Sequence, residues 1–345
     1  MKARKGILLV NLGTPDSPSV ADVRKYLREF LMDERVIDIP FVSRWWLVNL
    51  IIAPFRSPKS AKEYAKLWDE RGSPLKYFGE DITTSLQKKL GDDYVVKLGM
   101  RYQNPSIELV LNQMNTQGVS EIIIIPLFPQ YASATTGSVI QKVNEVINKW
   151  QAIPALKFVN KFFDYPPFIE AFSENGRKML NEKTYDHVVF SYHGLPERQI
   201  EKSSREGYCK KNDSCCSSYH SKNRLCYRAQ CFETSRLLAA SLGLGEEKYT
   251  TTFQSRLGKD PWIQPYTDAV LQQLPQKGIK KVLVFSPAFI ADCLETTVEV
   301  GETFKDLFLE AGGEVWDLVP SLNNNDVWVE CLASMVTSKI DFIKK

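Results

Sequence analysis

The chain has 345 residues, 43% hydrophobic and 25% charged; 44 Lys and Arg against 41 Asp and Glu leave a formal net charge of +3. That near-balance argues against nucleic acid as a partner, and the composition excludes a disordered or collagen-like chain. At roughly 100–200 residues per domain, two domains are expected.

The N-terminal MKARKGILLV carries basic residues and an apolar run too short for a signal-peptide core. No apolar stretch reaches the roughly 20 residues that cross a bilayer. The longest, 45–55 (WWLVNLIIAPF), falls short. A cytoplasmic protein with reduced cysteines is expected. Short apolar runs then recur at 6–12 (GILLVNL), 94–100 (YVVKLGM), 121–128 (EIIIIPLF) and 156–160 (LKFVN). A second set lies at 187–192 (HVVFSY), 249–254 (YTTTFQ), 281–285 (KVLVF) and 315–319 (VWDLV). Continuous rather than alternating apolar runs suit strands buried on both faces, as in parallel sheets. Crossover helices are predicted between them, among others over 104–117, 140–150 and 260–274.

The two sets read as a degenerate duplication. NLGTP after the first strand matches SYHGLP after the fifth, KLGMRYQNPS matches TFQSRLGKDPW, and PLFPQYASATTGS matches SPAFIADCLETT. The expected architecture is two doubly wound α/β domains, 1–170 and 171–345, with the boundary near 165–185. Ligands of such sheets bind outside the carboxyl ends of the strands. The six motifs are therefore expected to converge on one interdomain cleft. The stretch 197–231 breaks the pattern: polar, rich in Ser, Lys and Cys, it reads as an insertion at a strand's carboxyl end.

His193 follows an apolar strand and precedes Gly194-Leu195-Pro196, which force a turn and present the imidazole at the strand end. Asp292, Glu295, Glu299 and Glu302 are spaced 3, 4 and 3 apart, which puts four carboxylates on one face of an α-helix. The plain alternatives are a hydrogen-bonded structural histidine and a solvated helix face. An imidazole with a row of carboxylates suits a borderline divalent metal such as Fe²⁺, and also suits proton transfer. Aromatic residues accompany them: Tyr131, Trp262 and Phe289 beside strand ends, and the adjacent Trp45 and Trp46 in the 45–55 run. Either the run packs in the core, or it is an exposed lip for a flat hydrophobic ligand or a membrane surface.

These motifs together resemble the ferrochelatase family. HVVFSYHGLPERQ is similar to its His-containing signature, and NLGTP, PLFPQYASATTGS, TFQSRLGKDPW and ADCLETTVEV follow the family's order over nearly the whole chain. The resemblance implies two Rossmann-like, chelatase-type domains with parallel four-stranded sheets around a porphyrin cleft. It implies insertion of Fe²⁺ into protoporphyrin IX to give protohaem, with release of two protons. His193 matches the family's active-site histidine and Glu295 its metal-site acid, both expected to meet the substrate Fe²⁺. Glu299, and less directly Asp292 and Glu302, match a proposed acidic path. Leu12, Tyr131, Trp262 and Phe289 are expected to line the porphyrin cleft.

Two features depart from the common pattern. Position 293 is Cys where some relatives carry His, and it is given no role. Cys209, Cys215, Cys216, Cys226 and Cys231 crowd the insertion. Some ferrochelatases carry a [2Fe–2S] cluster, in animals on C-terminal cysteines, and none follows Cys331 here. An internal cluster on Cys209, Cys216, Cys226 and Cys231, with Cys215 as the alternate, is the expectation; zinc, with His220 as a ligand, is the competitor. Two further readings stay open: a chelatase for coproporphyrin or another tetrapyrrole and metal, and a non-catalytic tetrapyrrole- or metal-binding protein.

Overall fold

A computed structural model describes residues 4–337 apart from 205–206, 211–212 and 259. The chain divides into two compact units. The first takes residues up to Phe128, Ala132–Asn160 and 332–337; the second takes Pro129–Tyr131 and Lys161–Cys331. The expected boundary at 170/171 falls instead inside a helix, Pro166–Glu182. That helix is held within the second unit: the Asn175 amide donates to the Pro320 carbonyl, and a Cβ on Gly176 would overlap the Phe285 ring.

In chain order the first unit contains β1 (Lys5–Gly13), α1 (Val20–Leu31), α2 (Phe41–Trp46), a π-helical segment Leu47–Ile52 and α3 (Ala53–Leu67). It continues through α4 (Pro74–Leu90), β2 (Tyr94–Tyr102), α5 (Ile107–Thr116), β3 (Glu121–Pro126), a second π segment Ser133–Gly137, α6 (Ser138–Ile147) and β4 (Ala155–Phe158). The sheet order is β2-β1-β3-β4, all parallel. Leu8, Val10, Ile122 and Ile124 pack under Val110, Leu111, Val139 and Val143, which is why these strands read as unbroken apolar runs. Ser19 and Ser106 cap α1 and α5 by accepting from Asp22 and Leu109 backbone N–H groups.

The second unit contains α7 (Pro166–Glu182), β5 (His187–His193), α8 (Glu197–Ser203), α9 (Tyr227–Ser241), β6 (Tyr249–Gln254) and α10 (Thr267–Gln273). β7 (Lys281–Phe285), a ten-residue π-helix Leu294–Thr303, α11 (Phe304–Glu310), β8 (Val315–Leu318) and α12 (Asp326–Thr337) follow, α12 ending among residues grouped with the first unit. Its order, β6-β5-β7-β8, repeats the first sheet. The helix expected at 260–274 forms only from Thr267, because Pro261 and Pro265 push the residues before them out of helical geometry.

The repeat extends to detail. Asn11 lies opposite Met100 and Tyr192 opposite Phe253. The N–H of Met100 donates to Pro105 O at 2.6 Å, and that of Phe253 to Pro265 O at 2.8 Å. Leu12 and His193 are therefore corresponding residues, each next along its strand. The glycines after them are obligatory. A Cβ on Gly13, at φ 114°, would lie 2.0 Å from Tyr102 O, and one on Gly194 would lie 2.8 Å from Gln254 O.

The segment of α2, the π turn and α3 faces inward with Val48, Ala53, Ser57, Ala61, Tyr64 and Leu67. Pro54 at the start of α3 lacks an N–H and crowds the turn before it, which suits the wider π turn there. Its outer face is bare: Phe41, Trp46, Ile51 and Phe55 are 62, 56, 56 and 78% exposed. Among the described residues no helix is long and apolar enough to cross a membrane.

Candidate active site

His193 ends β5, half-buried beside Trp262, whose ring centroid is 6.4 Å away. Its Nδ1 lies 2.6 Å from Gly194 O. A carbonyl can only accept, so Nδ1 carries the proton and Nε2 is left as the basic nitrogen. The peptide after His193 is held at both ends: Tyr227 Oη donates to His193 O at 2.9 Å, and Gly194 N–H donates to Gln254 O at 2.8 Å. Gly194 also lets Trp262 approach, for a Cβ there would sit 3.1 Å from the indole.

Gln254, the strand partner of His193, links it to the acids. Its amide donates to Glu299 Oε2 at 3.2 Å and to the Glu295 carbonyl at 3.3 Å. Its own oxygen accepts from Ser191 Oγ at 2.6 Å. Ser255, in the left-handed region at φ 63°, donates its hydroxyl to the same Glu299 oxygen. Burial raises the Glu299 carboxyl above its ordinary range, and Glu295 adds to the rise; the Ser255 and Gln254 hydrogen bonds and the nearby His193 oppose it without cancelling it. A carboxylate with raised proton affinity beside a basic imidazole nitrogen is a proton-accepting pair.

The acidic row is shorter than its spacing implies. Leu294–Thr303 is π-helical, and its i→i+5 bonding widens the turn beyond the roughly 3.6 residues of an α-helix. Glu295 and Glu299, four apart, stay on one side, whereas Glu302 is carried off that face and is exposed. The consecutive β-branched Thr296, Thr297 and Val298 crowd a tighter turn, which favours the wider one. Asp292 precedes the helix and is used structurally: its oxygens accept from Asn323 Nδ2 at 2.7 Å and from Ser321 N at 3.3 Å. Cys293 is buried at the helix start, with its thiol pushed up chiefly by burial.

Of the expected porphyrin contacts, Trp262 stands beside His193, while Phe289 lies half-buried in the turn after β7. The Tyr131 backbone N–H donates to Gln230 of α9 at 2.7 Å, and Leu12 is half-buried at the end of β1. Sequence reasoning missed Gln254, Ser255 and Tyr227. The first two close the TFQS segment that matches KLGMRY, a signal the sequence carries, whereas Tyr227 lies in a stretch that carries none.

Cys209, Cys215 and Cys226 line a cavity of about 260 Å³ in the insertion. Cys216 bridges two of them, its Sγ 3.6 Å from that of Cys215 and 4.0 Å from that of Cys226. Cys226 caps α9, and its thiol is pushed down by the hydrogen bond from Cys216, against burial, with help from the Ala229 and Arg228 N–H groups. Cys231 differs. It is fully buried one turn into α9 beside Tyr227 and Tyr192, and burial pushes its thiol up. It stands with the tyrosines, whereas Cys215 is in contact with Cys216. His220 has both ring nitrogens engaged, Nε2 with Tyr208 Oη at 2.8 Å and Nδ1 accepting from Lys222 N at 3.2 Å. Among the described residues no three His, Cys, Asp or Glu side chains are already disposed around a metal ion.

Two parallel sheets of identical order, with an imidazole and two acids at the carboxyl ends of one, define a protein of the chelatase class. SirB from Bacillus subtilis, solved with Fe³⁺, shares the fold at TM-score 0.55 and 11% identity, over 96% of this chain and 94% of that one. A second SirB structure, in complex with cobalt, gives 0.51 at 10% identity, over 95% and 91%. The ferrochelatase family model matches residues 4–340. The ferrochelatase of Legionella pneumophila (strain Paris) is 46% identical over 337 residues, covering 98% of this chain and 100% of its own. That of Coxiella burnetii (strain Dugway 5J108-111) is 45% identical over 336 residues, covering 97% and 94%. The chain belongs to the ferrochelatase family, and is an enzyme that inserts metal into porphyrin.

Proposed function

We propose that the enzyme inserts Fe²⁺ into protoporphyrin IX to form protohaem, the terminal step of haem synthesis. The supporting observation is the proton-accepting pair: His193, with Nδ1 committed to Gly194 O and Nε2 available, and Glu299 with raised proton affinity in the same hydrogen-bonded network. The macrocycle lies against the carboxyl end of the second sheet, near Trp262 and Phe289. Its two pyrrole protons pass to His193 Nε2 and to Glu299 as the four ring nitrogens close on the metal. Glu295 holds the incoming iron through one carboxylate, with water completing the shell. So few protein ligands keep the metal transferable, whereas four would trap it. A macrocycle bent toward the metal-accepting shape is bound better than a flat one, which directs binding energy to the transition state.

The exposed apolar row from Phe41 to Phe55 favours protoporphyrin, with two carboxylates, over coproporphyrin, with four. It also suits a cytoplasmic enzyme that touches a membrane surface. In the insertion, Cys209, Cys215, Cys216 and Cys226 suit a [2Fe–2S] cluster, which would be held by four thiolates and would supply one-electron redox chemistry. His220, with both ring nitrogens engaged, does not complete a mixed Cys–His zinc set. Anaerobic steady-state insertion tests the main reading: kcat/KM for Fe²⁺ should be higher with protoporphyrin than with coproporphyrin. A reversed preference would overturn the choice of substrate. A brown protein with a visible absorption band supports the cluster; colourless protein with stoichiometric zinc overturns it.

A further inference from the structure

We propose that Tyr227 is a positioning residue through which the cysteine-rich loop acts on His193. The inference rests on His193 being the proton acceptor proposed above. Cys226 caps α9 and Tyr227 is the first residue of that helix, so the loop's sulfur cluster and the tyrosine are neighbours along the backbone. Cys226 touches Cys216 at 4.0 Å, and Cys216 touches Cys215 at 3.6 Å. The first turn of α9 is thereby set by how these sulfurs are arranged.

The other end of the tyrosine reaches the catalytic strand. Its buried hydroxyl donates to His193 O at 2.9 Å. That carbonyl belongs to the same peptide plane as the Gly194 N–H, which is pinned to Gln254 O at 2.8 Å. The next carbonyl, Gly194 O, fixes His193 Nδ1 at 2.6 Å. Three hydrogen bonds thus orient the peptide and the ring together. A displacement of the α9 start tilts the peptide through Tyr227, and the tilt carries Gly194 O, and with it the direction of Nε2. Beside it, α9 carries Cys231 and Ser235 and β5 carries Tyr192, whose Oη lies 3.0 Å from Ser235 Oγ.

The test is a double-mutant cycle on the purified holoenzyme with Tyr227→Phe and Cys216→Ser. It reads kcat, the porphyrin KM and the ring ¹⁵N shifts of histidine-labelled protein. The chain has three histidines, so His193 is resolved against His187 and His220. Tyr227→Phe keeps the ring packing and removes the hydroxyl. The expected result is a kcat about tenfold lower, a KM changed by less than about twofold, and moved His193 shifts with His187 unmoved. Cys216→Ser should move the same His193 shifts, and should add nothing in the Tyr227→Phe background. Additive effects, or His193 shifts unchanged in either single variant, overturn the proposal. If Tyr227→Phe does not fold, the His193 shifts of Cys216→Ser decide alone. His193→Ala separates the two layers: retained turnover defeats the reading of the site, whereas loss of turnover beside a normal Tyr227→Phe defeats only the coupling.

Discussion

The strand-end socket that holds His193 in the second half holds Leu12 in the first. Around each, the backbone is the same: a glycine against a neighbouring carbonyl, a proline carbonyl bonded to the adjacent strand, and a π segment after the third strand. The polar groups are arranged in opposite ways. In the first half Arg101 pairs with Asp33 at 2.6 Å, both largely buried, and Asp33 also accepts from Tyr102 Oη at 2.9 Å and from Ser138. Burial works against the Asp33 charge, but Ser138, the Arg35 N–H, Arg101 and Tyr102 more than offset it, so its carboxyl is held below the ordinary range. In the second half Glu299 accepts from an amide and a hydroxyl, and with His193 nearby these still do not offset burial, so its carboxyl is held above the ordinary range. A closed charge network makes a scaffold, whereas an acid whose burial is not offset keeps a proton to exchange.

The contrast can be broken most directly at the socket. His193→Leu makes the second half resemble the first and should lower kcat by about 10³–10⁴-fold, within the range for loss of a general base. Porphyrin fluorescence during metal insertion measures it, and a loss under about tenfold would defeat the assignment. Next in size, Arg101→Leu leaves Asp33 buried without its cation and should cost about 3–5 kcal/mol of unfolding free energy. Urea denaturation checks this; a change below about 1 kcal/mol would mean that the network is not closed as described.

Glu299→Gln sharpens the comparison because activity and stability should move in opposite directions. The rate should fall about a hundredfold, while Tm at pH 7.5 should rise by about 2–4 °C. The sign follows from the raised carboxyl. Its contribution is neutral below the ordinary value of 4.5 and becomes increasingly unfavourable as pH climbs through the folded-state value. The Tm gap between variant and parent should therefore open as pH rises above 4.5 and level off above the raised folded-state value, read in a calorimetric pH series. Asp33 has the other sign: its contribution is present above the ordinary 3.8 and is lost as pH falls through the lower folded-state value. Asp33→Asn should accordingly destabilise most at neutral pH. Glu302→Gln is the smallest effect, a kcat within about twofold of the parent, because its helix turns it away; a larger loss would restore it to the acidic row.

The strands and the duplication were legible because parallel strands covered on both faces must be apolar throughout, and because HGLP and LGTP mark the same turn twice. The acidic row departs from its spacing for two reasons. Its spacing was counted in α-helical turns, and the wider helix keeps Glu295 with Glu299 but releases Glu302. Asp292 was drawn to the row by proximity in sequence, while its oxygens answer Asn323 and Ser321, some thirty residues away. Among the cysteines, spacing alone could not tell that Cys231 lies inside α9 with Tyr227, nor that Cys215 turns toward Cys216. Tyr227 itself sits in a stretch with no periodicity to mark it, and its partner is a backbone carbonyl, which leaves no trace in residue types.

The two obligatory glycines carry a consequence for design. Because Gly13 and Gly194 fix the backbone on one side of each socket, the residue just before each can be exchanged without rebuilding the turn. The first half is thus a ready-made blank copy of a reactive centre, into which a donor side chain at position 12 could be grafted and its surroundings tuned independently of the working one.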